Sequence, residues 1–328
     1  MRTHVLRMLV LRMLAVRLCF GLATLFLVSL IIFFSVGLLP GDYASEILGQ
    51  GATPEAVMRF RHELGLDQSA IHRYLVWLNG IVHGDLGRSY ASHDGNVRMV
   101  ADVIGTRLQN SFFLAGVTAL IGVPLSVALG ITAARFQGGW LDRGMTSAAL
   151  AAVSCPEFFM AYLLMLVLSV NYHLFYSLAM IEPQMGLGTK LMRIVLPVLT
   201  LILIISAHMM RMTRAAVLDV MAHPYVEMAR CKGLSNTRIL LRHALPNAWA
   251  PIVNVIAFNL SYLVVGVVVV EVAFAYPGIG QTMIDAVRTR DVPVIQACAL
   301  IFAATYIVVN LVADAVSIAT NPRLMHSR

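Results

Sequence analysis

Three acidic side chains, Glu157, Glu271 and Asp314, stand inside long apolar runs. An ionisable group in such a run is costly to bury, so it pairs with a neighbour, caps exposed backbone N–H groups or relays protons for an ion-coupled carrier. Glu157 follows Pro156 and Glu271 precedes a YPGIG turn, places that suit pairing or capping; Asp314, one turn after Asn310, suits a cross-helix pair with Arg211 or Arg214. Ser206 and His208 offer a nucleophile and a base. Two positions apart on a helix they diverge by about 200°, so they do not face each other as a hydrolase would need. His208 with Met209, Met210 and Met212 is a set of soft ligands, but methionines in an apolar helix serve as flexible packing. The cysteines, Cys19, Cys155, Cys231 and Cys298, are too dispersed for a disulfide framework or a metal site. No GxxxxGK[ST] loop is present to cradle nucleotide phosphates. The sequence assigns no catalytic residue, no metal site and no cofactor to this chain.

A different kind of signal lies at Tyr225 to Asn247, YVEMARCKGLSNTRILLRHALPN, a basic stretch between two apolar runs. Pro224 suits the first turn of a helix, Glu227 its positive end and Lys232 its negative end. Gly233 can take the left-handed conformation that closes a helix, Ser235 can cap a second one, and Leu245 and Pro246 are predicted to end it. The expectation is two short helices meeting at a glycine elbow on a membrane surface.

The elements that must carry these residues follow from composition. Of 328 residues, 59% are hydrophobic and 12% charged, a ratio that no soluble core requires. A span needs about 20 apolar residues. Six stretches qualify: Val16–Leu39, Ser111–Ala134, Met145–Tyr172, Ile194–Met212, Ile252–Phe274 and Val294–Ala319. They lack the period-two alternation of barrel strands, so the predicted fold is an all-α integral membrane protein with six transmembrane helices. With the amino terminus inside, Arg2, Arg7, Arg12, Arg17, Arg135, Arg143, Arg211, Arg214, Arg230, Lys232, Arg238, Arg242, Arg323 and Arg328 fall on the inner side, against only Asp142, Asp219 and Glu227. The outer segments are nearly balanced. This asymmetry accounts for most of the net charge of +7 without a nucleic-acid partner. The arginine-led start reads as a retained first span rather than a cleaved leader, its apolar run exceeding the roughly 7 to 15 residues of a secretory signal.

The segments are 1–39, an N-terminal region with the first span; 40–107, an outer segment; 108–322, the transmembrane core with the elbow at 224–246; and 323–328, an inner tail. The outer segment holds two helical pieces, TPEAVMRFRHELGL with Thr53 as cap and SAIHRYLVWLNGIV. Val57, Phe60, Leu64, Tyr74, Trp77, Leu78 and Ile81 recur at helical spacing, either to pack on the bundle or to form a cap that docks a substrate-delivery protein.

Glu227, Ala229, Gly233, Leu245 and Pro246 resemble the EAA loop of bacterial ABC importer permeases. That pattern is Glu-Ala-Ala, three residues, Gly, nine residues, then Ile-x-Leu-Pro; here Met228 replaces an alanine and His243 the isoleucine. LPGDYASEILG, ATPEAVMRFRHELGLDQ, WLNGIVHGDLGRSY, ADVIGTRLQNSFFLA, VVVVEVAFAYPGIGQTMIDAVRTRDVPVIQA and VNLVADAVSIATNPR follow in order, and resemble the dipeptide, oligopeptide and nickel branch of that family. The resemblance implies a bacterial inner-membrane permease with both termini cytoplasmic. It also implies a second homologous permease, two ATPase subunits that bind ATP and Mg, a periplasmic or extracellular substrate-binding protein and a lipid surround. By the same resemblance Glu227, Met228, Ala229, Arg230, Lys232, Gly233 and Leu234 couple the chain to the ATPase. Peptides are the first expected cargo, with nickel chelates, opines, glutathione and peptide-like antibiotics compatible. Asn254, Asn259 and Tyr262, with Ser261, place polar groups along the fifth span, where they could line the path or bond between helices.

Overall fold

The structure is a computed structural model that describes residues 2–37, 53–63, 65, 67–90 and 98–320. The motif LPGDYASEILG, the predicted span end at Leu39, Leu64 and the 323–328 tail lie outside the described residues. The helices in chain order are α1 Arg2–Gly37, α2 Pro54–Glu63, α3 Ala70–Val82, α4 Val100–Arg135, α5 Trp140–Ser154 and α6 Glu157–Leu164, the last continued by a π segment Met165–Asn171. Then come α7 Leu187–Arg193, α8 Val195–Met221, α9 Pro224–Cys231, α10 Asn236–Ile239 with a π segment Leu240–Ala244, α11 Leu245–Ala273, α12 Ile279–Arg288 and α13 Val292–Thr320. Among the described residues, five helices are long and apolar enough to cross a membrane, and six if one bent pair counts as a span.

That bent pair corrects the third predicted span. Met145–Tyr172 is not one rod: α5 and α6 meet at 106°. Pro156 has no N–H to continue the ladder and disfavours helical backbone at the residue before it, and Cys155 is extended at φ −92, ψ 132. The other spans lie where the apolar runs place them but run longer, because helix continues into polar sequence at their ends. The second begins at Val100 and the fourth reaches Met221.

The chain forms two compact units. The first draws on Met1–Cys19, Phe112–Tyr276 and Tyr306–Arg328; the second on Phe20–Ser111 and Pro277–Thr305. In lipid the hydrophobic effect does not drive helices together, so close van der Waals approach and polar contacts must do so. The first unit shows both. Gly122, Ser126 and Gly130, four residues apart on α4, form a small-residue stripe against α8: a Cβ at Gly130 would stand 2.7 Å from Thr213 Cβ and 2.8 Å from the Met210 carbonyl oxygen. Ser126 and Ser206 hydroxyls meet within the same contact at 2.7 Å. Leu114, Leu196, Leu201, Ile205, Leu263, Val267 and Phe274 fill one core, and Met209, Val217, Leu240, Ala244 and Ile252 another.

Among the described residues, two ion pairs join elements of this unit. Arg17 of α1 reaches Asp314 of α13 at 2.6 Å. This corrects the expected partner of Asp314: Arg214 is engaged instead by Asp142 of α5, at 2.6 and 2.7 Å. Asp142 also accepts the Gly138 N–H at 2.9 Å, in the turn where Gly138 takes φ +75.

In the second unit Val100, Ile104, Ile279, Val294 and Ala297 pack together. The Tyr90 N–H and the Ser89 hydroxyl both donate to Asp291. Thr53 Oγ1 accepts the Ala56 N–H at 3.3 Å, capping α2 as its sequence predicts. On α3 Tyr74 is buried, its hydroxyl 2.9 Å from Ser29 of α1, and Trp77 stacks obliquely near Phe33 at 5.6 Å.

Candidate functional site

The segment after α8 folds into the elbow its glycine suggests. The helix α8 ends at Met221, His223 is extended at φ −74, ψ 146, and Pro224 takes the first turn of α9. The helix closes in a Schellman arrangement: the Gly233 N–H donates to the Arg230 carbonyl at 2.9 Å and the Leu234 N–H to the Ala229 carbonyl at 3.3 Å. Gly233 has φ +76, the left-handed region that the two bonds require. Leu234 then packs beside Val226, Ala229, Ile239 and Met221, the apolar contact that accompanies this cap.

The second half of the elbow differs from expectation. Ser235 stands at the start of α10 with extended backbone, but its side chain makes no capping bond. Leu245 and Pro246 do not end that helix. Instead α10 runs through the π segment into α11, and Asn236–Ala273 is apolar enough to count as one span. The reason lies in the proline. Pro246 cannot donate, and the ladder shifts register before it, the Leu245 N–H reaching back to the Leu240 carbonyl so that the helix continues. The elbow's second arm is therefore one end of a transmembrane helix.

This arrangement sorts the predicted coupling residues. Ala229 is buried and Leu234 half-buried, so these two hold the elbow together. Glu227, Met228, Arg230, Lys232 and Gly233 are exposed, with Met228 at 61%. Leu241, 56% exposed, and Tyr225, whose hydroxyl accepts from Asn247 Nδ2 at 3.2 Å, join the accessible surface. Sequence reading passed over both; the signal was a large apolar residue among arginines. The face combines exposed apolar groups with Arg230, Lys232, Arg238 and Arg242, a surface suited to a protein partner bearing an apolar slot and acidic rim.

The predicted path residues separate. Asn259 is buried and donates to the Val255 carbonyl at 2.8 Å, and Ser261 likewise bonds Ala257 of its own helix at 3.1 Å. Both side chains therefore bond within their own helix rather than across to another. Asn254 and Tyr262 are exposed on α11 with Phe258, positions four apart that share one face. The Tyr262 hydroxyl donates to Glu157 Oε1 at 2.7 Å, so Glu157 has a phenol partner rather than a bare role as helix cap. Glu271 is fully buried near the C-terminal end of α11, its carbonyl accepting the Tyr276 N–H at 2.8 Å.

The architecture defines a polytopic α-helical membrane protein. Residues 126–326 match the model of the binding-protein-dependent transport system inner membrane component, and residues 6–111 match its N-terminal membrane-component model. The chain is 37% identical over 303 residues to the glutathione transport system permease protein GsiC of Escherichia coli O6:H1, covering 92% of this chain and 95% of that protein. It is 36% identical to GsiC of Escherichia coli K12 and of Shigella dysenteriae serotype 1 over the same share. The inward-facing MetNI methionine ABC transporter has a similar fold, with a TM-score of 0.54 at 16% identity, covering 67% of this chain and 96% of that chain. The chain belongs to the family of binding-protein-dependent transport system inner membrane components, the ABC importer permeases.

Proposed function

We propose that this chain is one of two permease subunits of an ATP-driven importer of small peptides, with glutathione the first cargo to test. The elbow carries the reading: Gly233 at φ +76 locks α9 against the inner end of α11 and leaves Glu227, Met228, Arg230 and Lys232 on its surface. A partner ATPase that grips α9 has a short mechanical route in two directions, back into α8 through the His223 bend and forward into α11 through the π segment. A stiff junction of this kind converts partner movement into helix tilt, the rigid-body motion by which a transporter alternates its access. ATP and Mg belong to the partner subunits in this reading, the binding protein delivers cargo on the outer side, and both termini are cytoplasmic. The 37% identity to GsiC, named for glutathione transport, supports the choice of cargo. Dipeptides remain the second candidate, since glutathione is itself a small peptide.

The test is reconstitution of the chain with its companion permease, ATPases and binding protein in liposomes without any ion gradient. ATP-dependent accumulation of glutathione supports the reading. Uptake that needs a proton or sodium gradient and ignores ATP replaces it with a secondary carrier.

A further inference from the structure

Where the third span breaks, the first unit gathers polar side chains that the coupling elbow does not use. The Tyr262 hydroxyl donates to Glu157 Oε1 at 2.7 Å, and the His208 and Tyr262 rings lie 6.0 Å apart. Tyr262 stands near the middle of α11, His208 near the middle of α8, and Glu157 opens α6 directly after the 106° break. All three therefore lie deep in the apolar layer, where discontinuous helices commonly build transport sites. The second carboxylate oxygen lies beside Gly266, where an added Cβ would stand 3.7 Å from Glu157 Oε2 and 3.6 Å from Leu201 Cδ2, and accepts no hydrogen bond of its own among the described residues. Among the described residues no lysine or arginine lies within ion-pair distance of Glu157, whereas Asp142 and Asp314 each have one. Tyr262, 38% exposed, shares its face of α11 with Asn254 and with Phe258 at 60%. A face that presents an amide, a phenol and a carboxylate is unsuited to lipid and suited to a polar route or a protein neighbour.

We propose that Glu157, oriented by the Tyr262 hydroxyl, binds the ammonium group of the cargo as it passes the middle of the membrane. Phe258, one turn from Tyr262, supplies an aromatic wall for the cation and the carbon beside it. The proposal rests on the importer reading above and selects within it: a peptide or glutathione carries an α-ammonium, a neutral or anionic chelate does not. A purely structural role makes a different demand. The Tyr262 hydroxyl needs only an acceptor, and the carbonyl of glutamine provides one, so Glu157→Gln keeps the hydrogen bond and removes the charge.

The experiment uses the complete complex in proteoliposomes, with saturating cognate binding protein and either glutathione or dialanine as cargo. Thermal melting and binding-protein-stimulated ATP hydrolysis should match wild type in Glu157→Gln, while cargo moved per ATP falls at least fivefold. Glu157→Asp should recover part of that ratio, and Tyr262→Phe should lower it by a smaller factor. Wild-type cargo-to-ATP ratios in Glu157→Gln for both cargoes overturn the proposal alone. A wild-type complex that accumulates neither cargo overturns the small-peptide reading, and this proposal with it.

Discussion

The guanidinium of Arg214 holds the carboxylate of Asp142 by two bonds, Nε to Oδ1 at 2.6 Å and Nη2 to Oδ2 at 2.7 Å. Asp142 is 3% exposed and sits at the start of α5, while Arg214 lies one helical stretch above the elbow on α8. The pair ties α8, which leads into the elbow, to α5, which enters the broken span. A bidentate geometry of this kind fixes orientation as well as distance.

Removing Arg214 strips a largely enclosed carboxylate of its two charge-assisted bonds, which costs about 1.5 to 3 kcal/mol. Arg214→Ala should therefore lower the melting temperature of the purified protein sharply. Arg214→Lys should recover less than half of the loss, because an ammonium cannot span both carboxylate oxygens. Equal melting of wild type and Arg214→Ala would show that the pair is peripheral to stability.

The α4–α8 contact makes a separate claim. A methyl group at Gly130 would meet Thr213 Cβ at 2.7 Å and the Met210 carbonyl at 2.8 Å, and a backbone oxygen cannot rotate away. Gly130→Ala is expected to destabilise by about 1 to 3 kcal/mol through overpacking. Gly116→Ala, on the same helix with nothing within 4 Å of the added atom, is the control and should be near neutral. Comparable melting of the two variants would mean that the helices separate without penalty.

Gly233 predicts an uncoupled but folded protein. Nothing lies within 4 Å of a Cβ built there, so the cost of a side chain is backbone strain at φ +76 rather than collision. Gly233→Val should cost about 1 to 2 kcal/mol locally, and Gly233→Asn less, since asparagine tolerates this region. The expected result is normal membrane insertion with ATP-driven uptake lost in the valine variant and largely kept in the asparagine one. Uptake at wild-type rate by Gly233→Val removes the elbow from the coupling mechanism.

Orientation can be read from one thiol. Cys231 is exposed at the end of α9, on the surface assigned to the cytoplasm, whereas Cys298 is buried. In cells expressing the chain alone, a membrane-impermeant maleimide should label Cys231 only after the inner membrane is opened, as scored against a Cys231→Ser control. Labelling in intact spheroplasts would invert the topology.

The unbroken apolar runs and their basic flanks determined by themselves that this chain is a helical membrane protein and roughly where its spans lie. Lipid offers the backbone no hydrogen-bond partners, so run length alone dictates helix. The elbow was equally local: a proline at the first turn, a glycine at the left-handed position and a leucine after it specify a closed helix without reference to the rest of the chain. The bend at Pro156 was partly legible, since a proline stands in the run, but neither its 106° angle nor its outcome was. Pro246 shows why, for there the same residue type was absorbed by a π segment and Pro251 lies inside α11 without ending it.

Tertiary structure alone decided the partnerships. By sequence Asp314 suited Arg211 or Arg214, and only the placement of α1, α5, α8 and α13 gave it Arg17 and gave Arg214 to Asp142. Likewise Asn259 and Tyr262, three residues apart, read alike as polar groups in a span, yet one turns into the bundle and the other onto an open face. Which side of a helix is buried depends on what packs against it, and Gly122, Ser126 and Gly130 drew α4 against α8 through a contact whose partner no one-dimensional spacing names.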